Sequence, residues 1–127
     1  MPEPVRLAIL ASGSGSNAVS ILKHFQASTD VDVAFLGCNR PPDKAGIYDR
    51  TKSFGMETEY FSNEDLTEGR LLNSLHEQGI HWVALAGFLA RIPEDFVRAF
   101  EGRMLNVHPS LLPKFGGRGM YGMNVHK

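Results

Sequence analysis

The strongest constraint on the fold of this chain is an alternation: short apolar runs take turns with stretches of helical period all the way from Val5 to His108. Val5 to Ala11 is an apolar run bounded by Pro4 and by a serine and glycine cluster, the pattern of a buried strand. Ser12-Gly13-Ser14-Gly15-Ser16-Asn17 is a glycine-rich turn, after which Ala18, Ile21, Leu22 and Phe25 form the apolar stripe of a helix. Val31 to Cys38 alternates and then turns continuously apolar, as a second strand. Pro41-Pro42-Asp43 opens a helix that Gly55 closes, and Glu57 to Phe61 is a short third strand. Ser62-Asn63-Glu64-Asp65 has the spacing of a capping box, with Asp in the place of the usual Glu or Gln. Leu71, Leu72 and Leu75 give the helix that follows its core face, and Gly79 ends it. Trp82 to Ala86 is a fourth strand without a charge. Pro93-Glu94-Asp95 then starts a short helix with Phe96, Val97 and Phe100 inward, and Met104 to His108 is a fifth strand.

The order βαβαβαβαβ implies an α/β domain: a doubly wound, Rossmann-like parallel sheet with helices on both faces. A length of 127 residues suits one domain with a real core. A formal charge of −1 disfavours nucleic acid and anionic membranes as partners. The single cysteine, Cys38, excludes an internal disulfide and a CxxC knuckle. His24, His76, His81 and His126 have no ligand spacing, so no metal site is expected. With no long apolar run and no signal-peptide pattern at the N-terminus, a cytoplasmic location is expected. The charge is unevenly spread. Beyond Glu101 there are four cations and no carboxylate, whereas residues 1–101 hold nine cations against all 14 acids. A basic C-terminal stretch suits a small anionic ligand.

In an open parallel sheet, ligands bind beyond the carboxyl ends of the strands. Three segments fall there: Ser12–Asn17, Gly87–Ile92, and Asn106-Val107-His108-Pro109. The first leads from a strand into a helix, where free N–H groups attract an anion. It lacks the Gly-Lys-Ser/Thr of a nucleotide-hydrolase loop, and Ala18 stands where the third glycine of GxGxxG is expected. Cys38-Asn39-Arg40, rather than an acid, ends the second strand, so a monophosphate fits better than a dinucleotide. A plain tight turn is the bland alternative. Asn106 and His108, two apart on a strand, point to one face. A carboxamide that can stabilise a developing oxyanion and an imidazole that can carry a proton suit reaction through a tetrahedral intermediate. A hydrogen-bonded histidine at a strand end is the alternative for such a pair in isolation.

Taken together, Ser12–Asn17, Ala86-Gly87-Phe88 and Leu105-Asn106-Val107-His108-Pro109-Ser110-Leu111-Leu112-Pro113-Lys114-Phe115 resemble the phosphoribosylglycinamide formyltransferase family, folate-dependent enzymes of purine biosynthesis. The resemblance implies transfer of a formyl group from 10-formyltetrahydrofolate, as cosubstrate, to the amine of glycinamide ribonucleotide. It assigns Gly15, Ser16 and Asn17 to the ribonucleotide phosphate and Leu89, Ala90, Arg91 and Ile92 to the folate pocket. Asn106 would hold the formyl oxygen beside the folate, and His108 would be the catalytic proton donor. Residues 1–108 are then a mononucleotide-binding α/β domain, and 109–127 a Gly/Pro-rich active-site loop.

This sequence departs from the family pattern at Ala90, where relatives often carry Arg. The family also continues past the SLLP run, to further strands, a helix and an aspartate that partners the histidine. The 127 residues therefore resemble the N-terminal portion of such an enzyme. The expectation is that they are inactive unless completed, with self-association through an exposed sheet edge. Formyltetrahydrofolate hydrolase and methionyl-tRNA formyltransferase share parts of the pattern, and a noncatalytic nucleotide-binding module is the alternative outside enzymes.

Overall fold

A computed structural model of the chain describes residues 3–107. Five strands, β1 (Val5–Ala11), β2 (Val31–Cys38), β3 (Glu59–Tyr60), β4 (Trp82–Ala86) and β5 (Met104–Val107), form one sheet. Every pairing is parallel and the strand order is β3-β2-β1-β4-β5. The helices are α1 (Ser16–Phe25), α2 (Ile47–Arg50), α3 (Asn63–Thr67), α4 (Arg70–Glu77) and α5 (Glu94–Ala99). This is the doubly wound α/β architecture that the alternation implies.

Because side chains alternate along a strand, β1 feeds two cores. Leu7, Ile9 and Ala11 pack with Ala18, Ile21 and Leu22 of α1 on one face. Ala8 and Leu10 pack on the other with Leu71 and Leu75 of α4 and with Phe96 and Phe100 around α5. Both phenylalanines are fully buried, which contributes roughly 1.5–3 kcal/mol each. The change from alternating to continuous apolar character in β2 has a structural cause. The register with β1 slips between Leu7 and Ala8, whose partners are Val33 and Phe35. Ala34 is thus the extra residue, and it lies with Phe35 against the same core.

Three elements differ from their sequence expectation. The stretch from Pro42 to Phe54 is not one helix but a 3-10 turn at Pro42–Lys44, α2, and a second 3-10 turn at Lys52–Phe54. Ala45 is extended there, which breaks the helix and swings Ile47 inward to full burial. Strand β3 is cut to two residues. The helix after Ser62 is split at Gly69, whose φ of 89° is left-handed.

The capping box is present. Ser62 N–H donates to Asp65 Oδ2 at 2.9 Å, and Asp65 N–H donates to Ser62 Oγ at 3.0 Å. The hydrogen bond from Ser62 N–H, followed by that from the Arg70 guanidinium, holds the Asp65 carboxyl below the usual carboxylate range. As pH falls through the ordinary carboxylate range, the unfolded chain takes up a proton at this position before the folded one does. Acid therefore favours unfolding through Asp65. Stability measured by urea denaturation is expected to fall from pH 6 towards pH 3 less steeply in an Asp65→Asn variant than in the parent, and identical slopes would refute the coupling.

Candidate active site

The strand order places the switch point between β1 and β4. The connection after β1 runs into α1 on one face of the sheet, and the connection after β4 runs into α5 on the other. Ala11 and Ala86 are register partners, so the two connections leave the sheet side by side. A crevice at the carboxyl ends is the consequence.

The turn on the β1 side is held from below. Gly15 has a φ of 86°, a conformation that glycine adopts without a steric penalty, and it is the N-cap of α1. A Cβ added there would stand 2.6 Å from Ile47 Cγ1 and 2.8 Å from Ile47 Cα. Ile47 N–H also donates to Gly13 O at 3.3 Å, so the first residue of α2 buttresses the turn. The N-cap Gly15 offers α1 no capping side chain and the first turn has no acid, and Ser14 Oγ accepts from Ser16 N–H at a long 3.4 Å. The positive end of its dipole thus remains open to an anion. Ser16 is exposed and Asn17 half-buried. Asn17 Nδ2 lies 3.6 Å from where a Cβ on Gly87 would be, so the anion turn adjoins the end of β4.

The segment after β4 forms the other wall. Gly87 turns the chain at a φ of 69°, and the Phe88 ring lies 6.0 Å from that of Phe61. Phe88, Ala90, Arg91 and Ile92 line a cavity of about 530 Å³ together with Leu85, Glu94, Val97, Met104 and Asn106. Asn106 is the half-buried residue of β5, between buried neighbours on either side, and its register partner is Leu85. A carboxamide thus stands in this cavity beside the apolar side chains of Leu85, Val97 and Met104.

The structure therefore brings Ala90, Arg91, Ile92 and Asn106 to one cavity, and Asn17 approaches Gly87, the residue before the cavity-lining Phe88. Leu89 differs: its side chain is 80% exposed, and its backbone N–H is what the fold engages, donating to Ser12 Oγ at 2.9 Å. His108 and the loop 109–127 lie outside the described residues. Sequence reasoning passed over Ile47 and read Ser12 only as the start of the glycine-rich turn. For Ser12 the available signal was a hydroxyl directly after the apolar run Leu7 to Ala11, where burial obliges it to find partners. Among the described residues no cluster of His, Cys, Asp or Glu could hold a metal ion. No helix among them is long and apolar enough to cross a membrane.

Residues 5–127 match the formyl transferase family. The chain is 36% identical over 131 residues to the chloroplastic phosphoribosylglycinamide formyltransferase of Arabidopsis thaliana, covering 99% of this chain and 45% of that protein. It is 31% identical over 118 residues to phosphoribosylglycinamide formyltransferase of Bacillus subtilis, covering 88% of this chain and 60% of that protein. The solved structure of glycinamide ribonucleotide transformylase 1 from Geobacillus kaustophilus superposes with a TM-score of 0.73 at 34% identity, over 97% of this chain and 68% of that one. The chain thus spans only part of the length of these relatives.

Proposed function

We propose, from the premise that this chain belongs to the formyl transferase family, that its protein transfers a formyl group from 10-formyltetrahydrofolate to the amine of glycinamide ribonucleotide. The reading is supported by one observation above all. The N-terminal turn of α1 and the segment leading into the cavity that bears Asn106 leave neighbouring strands at the switch point, with Asn17 close to Gly87. A donor of the formyl group and an anionic acceptor could meet there. The names carried by the relatives point the same way.

On this reading Gly15, Ser16 and Asn17 hold the ribonucleotide phosphate with backbone N–H groups and side-chain donors at the positive end of α1. The backbone of Leu89, Ala90, Arg91 and Ile92 meets the hydrogen-bonding edge of the folate. A cavity of about 530 Å³ with an apolar floor at Leu85, Val97 and Met104 fits a flat heterocycle, and its volume is in the ordinary range for small ligands. When bound, the folate would supply an electrophilic formyl carbon: the amine bonds to it, the carbon's bond to the folate nitrogen then breaks, and the proton lost by the amine is balanced by one gained at that nitrogen. Asn106 directs an amide N–H at the formyl oxygen as negative charge gathers on it. His108 carries the proton. Residues 1–108 serve as the nucleotide-binding domain and 109–127 as its Gly/Pro-rich active-site loop. The partners are these small molecules and the setting is the cytoplasm.

The test is an assay of the full-length protein with both substrates. Consumption of 10-formyltetrahydrofolate that depends on glycinamide ribonucleotide, with formylated ribonucleotide as product, is expected. Release of formate without the ribonucleotide would instead indicate hydrolysis, and no consumption at all would end the proposal.

A further inference from the structure

Ser12 is the first residue after β1 and is 1% exposed. A hydroxyl so buried must satisfy both its donor and its acceptor capacity within the protein. It donates to Asn39 Oδ1 at 2.7 Å and accepts from Leu89 N–H at 2.9 Å. Asn39, the first residue after β2, in turn donates from Nδ2 to Asn63 Oδ1 at 2.9 Å, and its own N–H donates to Ala11 O at 3.2 Å. The bonds run one way, from Leu89 through Ser12 and Asn39 to Asn63. They tie the carboxyl ends of β4, β1 and β2 to the first residue of α3. Hydrogen bonds aligned in this way polarise and strengthen one another.

The position of this relay gives it a consequence for the site. Its upstream end is a backbone N–H inside the segment whose next three residues line the cavity with Asn106. Its centre is the residue that opens the Ser12–Asn17 turn, three positions before Gly15. Leu89 is largely in solvent, so its own side chain does not anchor its backbone, while Phe88, Ala90 and Ile92 around it pack against the core. We propose that Ser12 is a positioning residue for formyl transfer: it sets the placement of the 89–92 backbone relative to Asn106, and Asn39 sets the direction of the Ser12 hydroxyl. With its proton committed to Asn39 Oδ1, the hydroxyl turns its lone pairs to Leu89 N–H. The inference rests on the formyl-transfer reading, in which that backbone meets the folate.

The experiment uses the full-length protein and the variants Ser12→Ala, Asn39→Ala and Asn39→Asp, with KM for each substrate, kcat and the thermal midpoint. Ser12→Ala leaves Leu89 N–H without its acceptor, and KM for 10-formyltetrahydrofolate is expected to rise about tenfold. KM for glycinamide ribonucleotide is expected to stay within about twofold, since the turn keeps its own support from Ile47. Asn39→Ala should reproduce the folate effect. Asn39→Asp keeps an oxygen for the Ser12 hydroxyl, and the Asn63 amide can flip to donate to it, so the folate KM should return towards that of the parent. Should Ser12→Ala not fold, the two Asn39 variants decide the matter. Equal folate KM values for Asn39→Ala and Asn39→Asp would overturn the proposal. A proportional rise in both KM values, or a lowered thermal midpoint with unchanged kinetics, would overturn it too, because a merely structural role gives that result. A parent protein without formyl transfer would remove the functional reading itself, a different outcome from a parent that turns over and a Ser12→Ala variant that matches it.

Discussion

Gly15→Ala is expected to abolish measurable binding of glycinamide ribonucleotide and to lower the unfolding free energy by roughly 2–5 kcal/mol. Two independent costs combine. A φ of 86° is left-handed, and a residue with a Cβ resists it by about 1–2 kcal/mol. The new methyl group would also stand 2.6 Å from Ile47 Cγ1, 2.7 Å from Ile47 Cβ and 2.8 Å from Ile47 Cα. A side-chain end could rotate away, but Cα is backbone, and Ile47 is fully buried at the start of α2. Relief therefore needs the turn or the helix to move, at about 1–3 kcal/mol for overpacking of this kind. Either movement withdraws the N–H groups from the phosphate they would cradle. Gly13→Ala is the internal control. Nothing lies within 4 Å of a Cβ at Gly13, and its φ is not positive. Its stability is expected to match the parent within about 0.5 kcal/mol. Urea denaturation and titration calorimetry with the ribonucleotide check both variants, and equal behaviour at positions 13 and 15 would contradict the buttress.

The second large effect is kinetic. Asn106→Ala in the full-length protein should reduce kcat by roughly 10²–10³-fold, the loss of about 2.7–4 kcal/mol that follows removal of one donor aimed at a developing oxyanion. Ribonucleotide binding should persist, because the turn proposed to hold the phosphate is on the other connection of the switch point. Stability should change little. Asn106 is half-buried and faces the cavity, while Met104, Leu105 and Val107 around it carry the packing of β5. Asn106→Asp sharpens the test. It keeps the shape but replaces the N–H donors with a negative oxygen, so it should be at least as slow as the alanine variant. An aspartate variant with parental turnover would rule out oxyanion stabilisation at this position.

Much of this arrangement was legible from local pattern. The bounds of β1, β2 and β4 follow from apolar runs closed by turn residues, and the stripe at Ala18, Ile21 and Leu22 marks the buried face of α1. The anion turn and Asn106 could be singled out because polar residues at the end of a buried strand require a reason. The misread parts share a physical cause. Pro42 to Phe54 has the start and stop signals of a helix, yet Ile47 has to reach under Gly15, and that contact joins residues more than 30 positions apart. Gly69 is similar: its left-handed φ ends one helix and begins another where the apolar spacing continues almost undisturbed. The partners of Ser12 stand 27 and 77 residues away, beyond the reach of any window of sequence.

The central place of β1 has a consequence for biosynthesis. It is the first strand to be made, but its partner on one side is β4, and the pairing opens where Arg6 N–H donates to His81, 75 residues later. At roughly 5–20 residues per second, the ribosome needs about 4–15 s to supply that partner. Until then one edge of this mostly buried strand is unpaired in the nascent chain, next to the turn proposed to bind phosphate. Half of the crevice can form early against β2, and the other half cannot exist before β4 emerges. Translation rate through residues 12–86 should therefore govern how much of the chain escapes aggregation.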